Sequence, residues 1–181
     1  PYNISRGPWY YGDNNPMKFT GVHFLLSYRC TNECDHCFLW SSPRTPSKGT
    51  MTLRQVKEVL RQAKELGTVE TIYFEGGEPF LFYPVLLGGL RAAASMGFRT
   101  GLVSNCYWAT SVEDAEEWLR PLVEIGIDDL SLSSDLFHGE GMMKGESQFA
   151  AEAARKLGLP ESVITIEAPE GCAAYADRDK G

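Results

Sequence analysis

The chain has 181 residues, 43% of them hydrophobic, which is enough for one sizeable core, and no apolar run reaches the roughly 18 residues that a membrane helix needs. Its 17 basic and 24 acidic residues give a formal net charge of −7, and no stretch concentrates Lys and Arg, so the footprint of a nucleic-acid binder is missing. We read no secretory signal in the opening residues, and five cysteines, three of them clustered, argue against an extracellular disulfide scaffold, so the expected compartment is a reducing cytoplasm.

The opening residues 1–19, with Pro8-Trp9-Tyr10-Tyr11 and Asp13-Asn-Asn-Pro16, form an aromatic, turn-rich segment. An apolar run from Val22 to Tyr28 reads as a strand that ends in Arg29 and opens into a polar loop. Residues 52–66 read as an amphipathic helix with a Thr52/Gln55 capping box and Gly67 as its stop. A strand over 70–75 then runs into Gly76-Gly77-Glu78-Pro79. A helix over about 84–96, with Pro84 in its first turn and Gly97 after its end, leads to a strand over 99–104. Ser111 caps a helix toward Ile125 that Pro121 is expected to split or kink. A strand over 129–133, a loop, a helix over 147–157 and a strand over 163–166 complete the alternation. Five strands alternating with four helices are the pattern of right-handed βαβ units, so the fold class is α/β with a parallel sheet.

The polar loop carries the chemistry. Cys30-Thr-Asn-Glu-Cys34-Asp-His-Cys37 places three thiols in eight residues at C-x3-C-x2-C spacing. A structural zinc site normally takes four protein ligands, usually as two separated pairs, and no second pair exists here. Three thiolates suit a [4Fe-4S] cubane, which four cysteines usually hold, and three would leave one iron open to a small molecule. A zinc loop completed by His36 or a distant Cys, and a reducible disulfide pair, stand as the alternatives. Gly-Gly-Glu-Pro alone is a common strand ending.

The two motifs together resemble the radical S-adenosylmethionine (radical SAM) enzymes. The resemblance implies a [4Fe-4S] cluster on Cys30, Cys34 and Cys37, with S-adenosylmethionine chelating the unique iron. It implies reductive cleavage to a 5′-deoxyadenosyl radical that abstracts a hydrogen atom from an organic substrate, with a peptide or protein among the candidates. It also implies an electron donor such as flavodoxin or ferredoxin. Gly76, Gly77, Glu78 and Pro79 would receive the methionyl ammonium, glycines because backbone carbonyls approach closely and Glu78 because a carboxylate complements an ammonium. His36 would lie near the adenine, and Ser104, Asn105, Ser133 and Asp135, at the ends of the third and fourth strands, would contact the cofactor. The competing reading of a non-catalytic iron-sulfur or zinc module for assembly or redox sensing gives Gly-Gly-Glu-Pro no use.

The resemblance sharpens the fold to a partial (β/α)6 barrel with its chemistry on the carboxyl-terminal rim. It covers residues 20–167, followed by a polar tail over 168–181. Five strands rather than six, that tail and the start at Pro1 lead us to expect a fragment of a longer enzyme, truncated after the fifth strand. His138 on its loop, Cys106 and Cys172 read as structural or surface residues.

Overall fold

The computed structural model describes residues 18–135 and 145–165. Five strands, β1 (Gly21–Leu25), β2 (Thr71–Glu75), β3 (Arg99–Ser104), β4 (Asp129–Ser133) and β5 (Glu161–Ile164), form one sheet in the order of the chain. Every pairing is parallel, with registers such as Phe24 opposite Phe74, Phe74 opposite Leu102 and Leu102 opposite Leu130. The intervening helices are α1 (Leu53–Leu66), α2 (Tyr83–Ser95), α3 (Val112–Ile125) and α4 (Glu146–Leu157). Right-handed crossovers between successive neighbours place all four helices on one face, which gives the bent α/β sheet of a partial barrel.

The core lies between that face and the helices. Phe24, Ile72, Phe74, Leu102, Leu130 and Leu132 alternate along the strands and are at most 3% exposed. Val56, Leu60, Leu86, Leu90, Leu119 and Leu122 meet them from the helices, each fully buried. Burying one such side chain contributes about 1.5–3 kcal/mol, so this layer dominates the stability of the fold.

Local signals set the helix ends. The Thr52 hydroxyl accepts the Gln55 N–H and the Gln55 side chain accepts the Thr52 N–H at 2.9 Å, closing the expected capping box. Gly67, Gly126 and Gly158 end α1, α3 and α4 in the left-handed conformation. Two boundaries correct the sequence reading. Pro121 does not split α3, which runs unbroken through it, because Leu119 and Leu122 on either side are anchored in the core. The last strand begins at Glu161 rather than Val163, since its backbone pairs from Glu161 opposite Leu130 onward. Ile166, His138, Cys172, most of the 1–19 segment and the 168–181 tail lie outside the described residues. No described helix is long and apolar enough to cross a membrane.

The sheet face turned away from the helices is polar, which the sequence reading did not single out. His23 Nδ1 lies 2.9 Å from Glu75 Oε1, and its ring stacks on Tyr73. The Ser131 and Ser162 hydroxyls donate to the two oxygens of Asp129 at 2.6 and 3.2 Å, and the Tyr73 hydroxyl donates to the same carboxylate at 3.4 Å.

Candidate functional site

The cysteine loop leaves the carboxyl end of β1 and is closed at its far end by the Met51 N–H donating to Leu26 O at 2.9 Å. Within it the Cys37 N–H donates to Cys34 O at 3.0 Å and the Trp40 N–H to Cys37 O at 3.1 Å, so the last two thiols sit on consecutive tight turns. Cys30 is tied back by its own N–H to Ser42 O at 3.3 Å.

The segment after β2 zips onto the start of this loop. The Gly77 N–H donates to Ser27 O at 2.6 Å and the Glu78 N–H to Arg29 O at 2.9 Å. Gly76 has φ +127°, and a Cβ there would stand 2.5 Å from Ser27 O; at Gly77 it would stand 2.1 Å from Arg29 O. Both glycines are required because one backbone lies against another.

Cys30, Cys34, Cys37, His36, Gly76, Gly77, Ser133 and Asp135 line one cavity of about 220 Å³ at the carboxyl-terminal strand ends, with Glu78, Ser104 and Asn105 on its wall. That volume is below the roughly 300 Å³ of an enclosed small-molecule site, so this is an open cleft. Val103 and Ile164 form its apolar side, and Glu75 joins it to the polar sheet face. Of the candidates only Pro79 is absent from the lining: it is buried and begins a short 3-10 turn, Pro79–Phe82.

Three of the residues expected to contact a cofactor are also hydrogen-bonded within the chain. Glu78 is fully buried: Oε1 accepts the Phe80 N–H and the Ser104 hydroxyl, both at 3.0 Å, and Oε2 accepts the Asn105 N–H at 2.8 Å. Its carboxylate therefore clamps the loop after β2 to the end of β3. Ser104 spends its one proton on Glu78, and its oxygen accepts the Cys106 N–H at 3.1 Å and the Trp108 Nε1–H at 2.8 Å, which exhausts a hydroxyl. Asn105 turns its amide to Cys30 Sγ at 3.3 Å and Thr31 Oγ1 at 2.9 Å. The clamp is anchored by Phe80, which is 1% exposed and stacks on Trp108 with centroids 4.5 Å apart. Cys106 is fully buried in the core, where burial pushes its thiol up, as a packing residue would show.

Charge in the cleft has one sign. The Cys34 thiol is pushed up to about 11 by burial first and then by Cys30, Cys37, Asp135 and Asp35, and burial likewise raises Cys30. Among the described residues, neither lysine nor arginine lines the cavity. Three thiolates among carboxylates need positive charge to coexist, and coordinated metal supplies it. No three His, Cys, Asp or Glu side chains among the described residues converge as ligands of a single ion do. A cubane takes each thiolate on a different iron, so this donor set suits a cluster better than one zinc.

Burial also acts on Glu78, whose carboxyl is raised to about 7 against the pull of its three donors. An acid whose folded pKa is raised contributes stability that is complete below its unfolded value of 4.5 and is lost as pH rises through about 7. The shift corresponds to about 3 kcal/mol. Thermal unfolding of the parent and Glu78→Gln from pH 4.5 to 8 is expected to show the parent losing about that much stability relative to the variant as pH rises. A constant gap, or one that widens in the parent's favour, would show that the donors outweigh burial.

Compared with protein-family models, residues 24–167 match that of the radical SAM superfamily. Among curated proteins the chain is 27% identical over 135 residues to the putative peptide biosynthesis protein YydG of Bacillus subtilis, a match covering 75% of this chain and 42% of that one. It is 30% identical over 155 residues to the PqqA peptide cyclase of Streptomyces rochei, covering 81% of this chain and 40% of that one. Among solved structures, native anSMEcpe with bound AdoMet matches with a TM-score of 0.55 at 21% identity, over 81% of this chain and 43% of that chain. The chain thus spans less than half the length of these relatives.

Proposed function

The chain belongs to the radical SAM superfamily, and from that membership we propose that residues 20–167 are the core of a radical enzyme that holds a [4Fe-4S] cluster on Cys30, Cys34 and Cys37 and binds S-adenosylmethionine beside it. The observation that carries this reading is the convergence of the C-x3-C-x2-C loop and Gly76-Gly77 on one cleft, joined by paired backbone hydrogen bonds. When bound there, the cluster and cofactor would supply the radical chemistry of hydrogen-atom abstraction from an organic substrate.

The residues divide the remaining work. Cys30, Cys34 and Cys37 hold three irons and leave the fourth to the cofactor. With Glu78 engaged inside the chain, the acceptors this rim offers an ammonium are the Gly76 and Gly77 carbonyls and the Glu75 carboxylate, which His23 orients. Val103 and Ile164 offer the ligand an apolar side. His36 is placed beside Cys37 to face an adenine, while Ser133 and Asp135 face the ligand from the end of β4.

We assign a peptide as the substrate class, on the names of two relatives, a putative peptide biosynthesis protein and a peptide cyclase, and on the polar sheet face, whose His23, Glu75, Tyr73 and Asp129 carry hydrogen-bonding groups. The compartment is a reducing cytoplasm, where clustered thiols stay free to ligate and an electron donor such as flavodoxin or ferredoxin is at hand. The test uses the full-length protein, reconstituted anaerobically. It should carry about four iron and four sulfide per chain and release 5′-deoxyadenosine from S-adenosylmethionine when given a strong one-electron reductant. One zinc per chain, or a fully clustered protein that does not bind the cofactor, would refute the proposal.

A further inference from the structure

We infer that Asn105 is a positioning residue for the metal centre: its side-chain amide donates a hydrogen bond to the Cys30 sulfur and thereby sets the reduction potential of the cluster that Cys30 helps to hold. This rests on the reading of Cys30 as a cluster ligand.

The orientation of the amide is fixed from both ends. The Tyr107 N–H, which can only donate, points at Asn105 Oδ1 at 3.2 Å, so the oxygen must be on that side. The Nδ2 group then faces the cysteine loop, with Cys30 Sγ at 3.3 Å and Thr31 Oγ1 at 2.9 Å. The backbone under it is equally constrained. The Asn105 N–H donates to the buried Glu78 carboxylate, and Cys106 takes a left-handed φ of 66°, unusual for a non-glycine residue, which lets Tyr107 turn back onto Oδ1. Strain of this kind persists where surrounding contacts over-determine it, and here they aim one amide at one sulfur.

Cys30 Sγ also receives the Asn32 N–H at 3.4 Å, and Cys37 Sγ the Ser41 N–H at 3.5 Å, but those donors belong to the loop's own backbone. Asn105 brings the side-chain donor to Cys30 from a different strand end, 75 residues away in sequence. Hydrogen bonds to ligand sulfurs are among the levers that set iron-sulfur potentials, because the reduced cluster carries more negative charge on sulfur and a donor favours it. Removing the donor must therefore make the cluster harder to reduce.

The experiment is a redox titration followed by electron paramagnetic resonance on the full-length, reconstituted parent, Asn105→Ala and Asn105→Asp. Asn105→Ala deletes the amide. Asn105→Asp keeps the acceptor for the Tyr107 N–H and replaces the donor with an oxygen. A hydrogen bond to a charged sulfur justifies a shift of about tenfold in the reduction equilibrium, which is about 59 mV for one electron, toward more negative potential, and a larger one for Asp. If the variants hold the parent's iron and titrate at the parent's potential, the proposal is wrong. If neither assembles a cluster while circular dichroism and melting temperature match the parent, the contact serves cluster assembly rather than its potential, and the proposal is overturned. Loss of the fold in both would overturn it by making Asn105 a residue of the scaffold. A parent without a four-iron cluster refutes the underlying reading instead.

Discussion

Cys34→Ala is expected to leave the protein folded and without cluster iron, and Cys30→Ala and Cys37→Ala should do the same. Three thiolates already leave one iron of a cubane without a protein ligand, so two cannot retain it. Among the described lining residues there is no fourth thiol to substitute. The fold should survive because Cys34 is only half-buried on a loop outside the core. Two controls separate this result from general damage. Cys106→Ala alters a fully buried packing residue and should keep the full complement of iron. His36→Ala removes the residue that a zinc loop would recruit, and it too should keep its iron. Iron and acid-labile sulfide, measured after anaerobic reconstitution, decide the matter. Equal loss from Cys106→Ala and Cys34→Ala would sink the ligand assignment, and loss from His36→Ala would revive the zinc alternative.

The frame of this site was legible in the sequence where the signal is local. A strand over 99–104 and one over 129–133 stand where their apolar runs placed them, and Thr52 with Gln55 spells out its own cap within four residues. The three cysteines identify themselves by spacing alone. Pro121 misled because local chemistry competes with burial: two fully buried leucines hold α3 together around it. The first residues of β5 were missed because an edge strand is chosen by backbone pairing, which a polar Glu161 and Ser162 satisfy as well as apolar residues do. What stayed hidden at the site itself is all long-range. Glu78 meets Ser104 and Asn105 across 26 and 27 residues, and His23 meets Glu75 across 52. No spacing rule connects such pairs. A carboxylate next to two glycines reads as a free side chain until the fold shows three internal donors on it.

The same reversal governs the glycines. Gly77→Ala is expected to cost about 3 kcal/mol of stability or more and to lower the iron content together with the melting temperature, since overpacking against a fixed backbone and the loss of paired hydrogen bonds act at one place. A Cβ at Gly77 would sit 2.1 Å from Arg29 O and 2.5 Å from Arg29 C, and a main chain cannot swing aside as a flexible side chain can. Relief requires Arg29 to move, and Arg29 immediately precedes Cys30. The shift would stretch the Gly77-to-Ser27 bond at 2.6 Å and the Glu78-to-Arg29 bond at 2.9 Å, the two links that hold the cysteine loop to the rim. Gly67→Ala is the matched control. Its φ of 71° is strained for alanine, but nothing lies within 4 Å of the added carbon, so it should cost only about 1–2 kcal/mol and leave iron binding intact. Melting temperature, iron content and S-adenosylmethionine titration on both variants separate two roles for Gly77. Joint loss of stability and iron from Gly77→Ala means that the glycine serves the contact between the two motifs. Normal stability and iron with lost cofactor affinity would mean that it serves the ligand's approach, and that the clash at Arg29 is absorbed elsewhere in the chain.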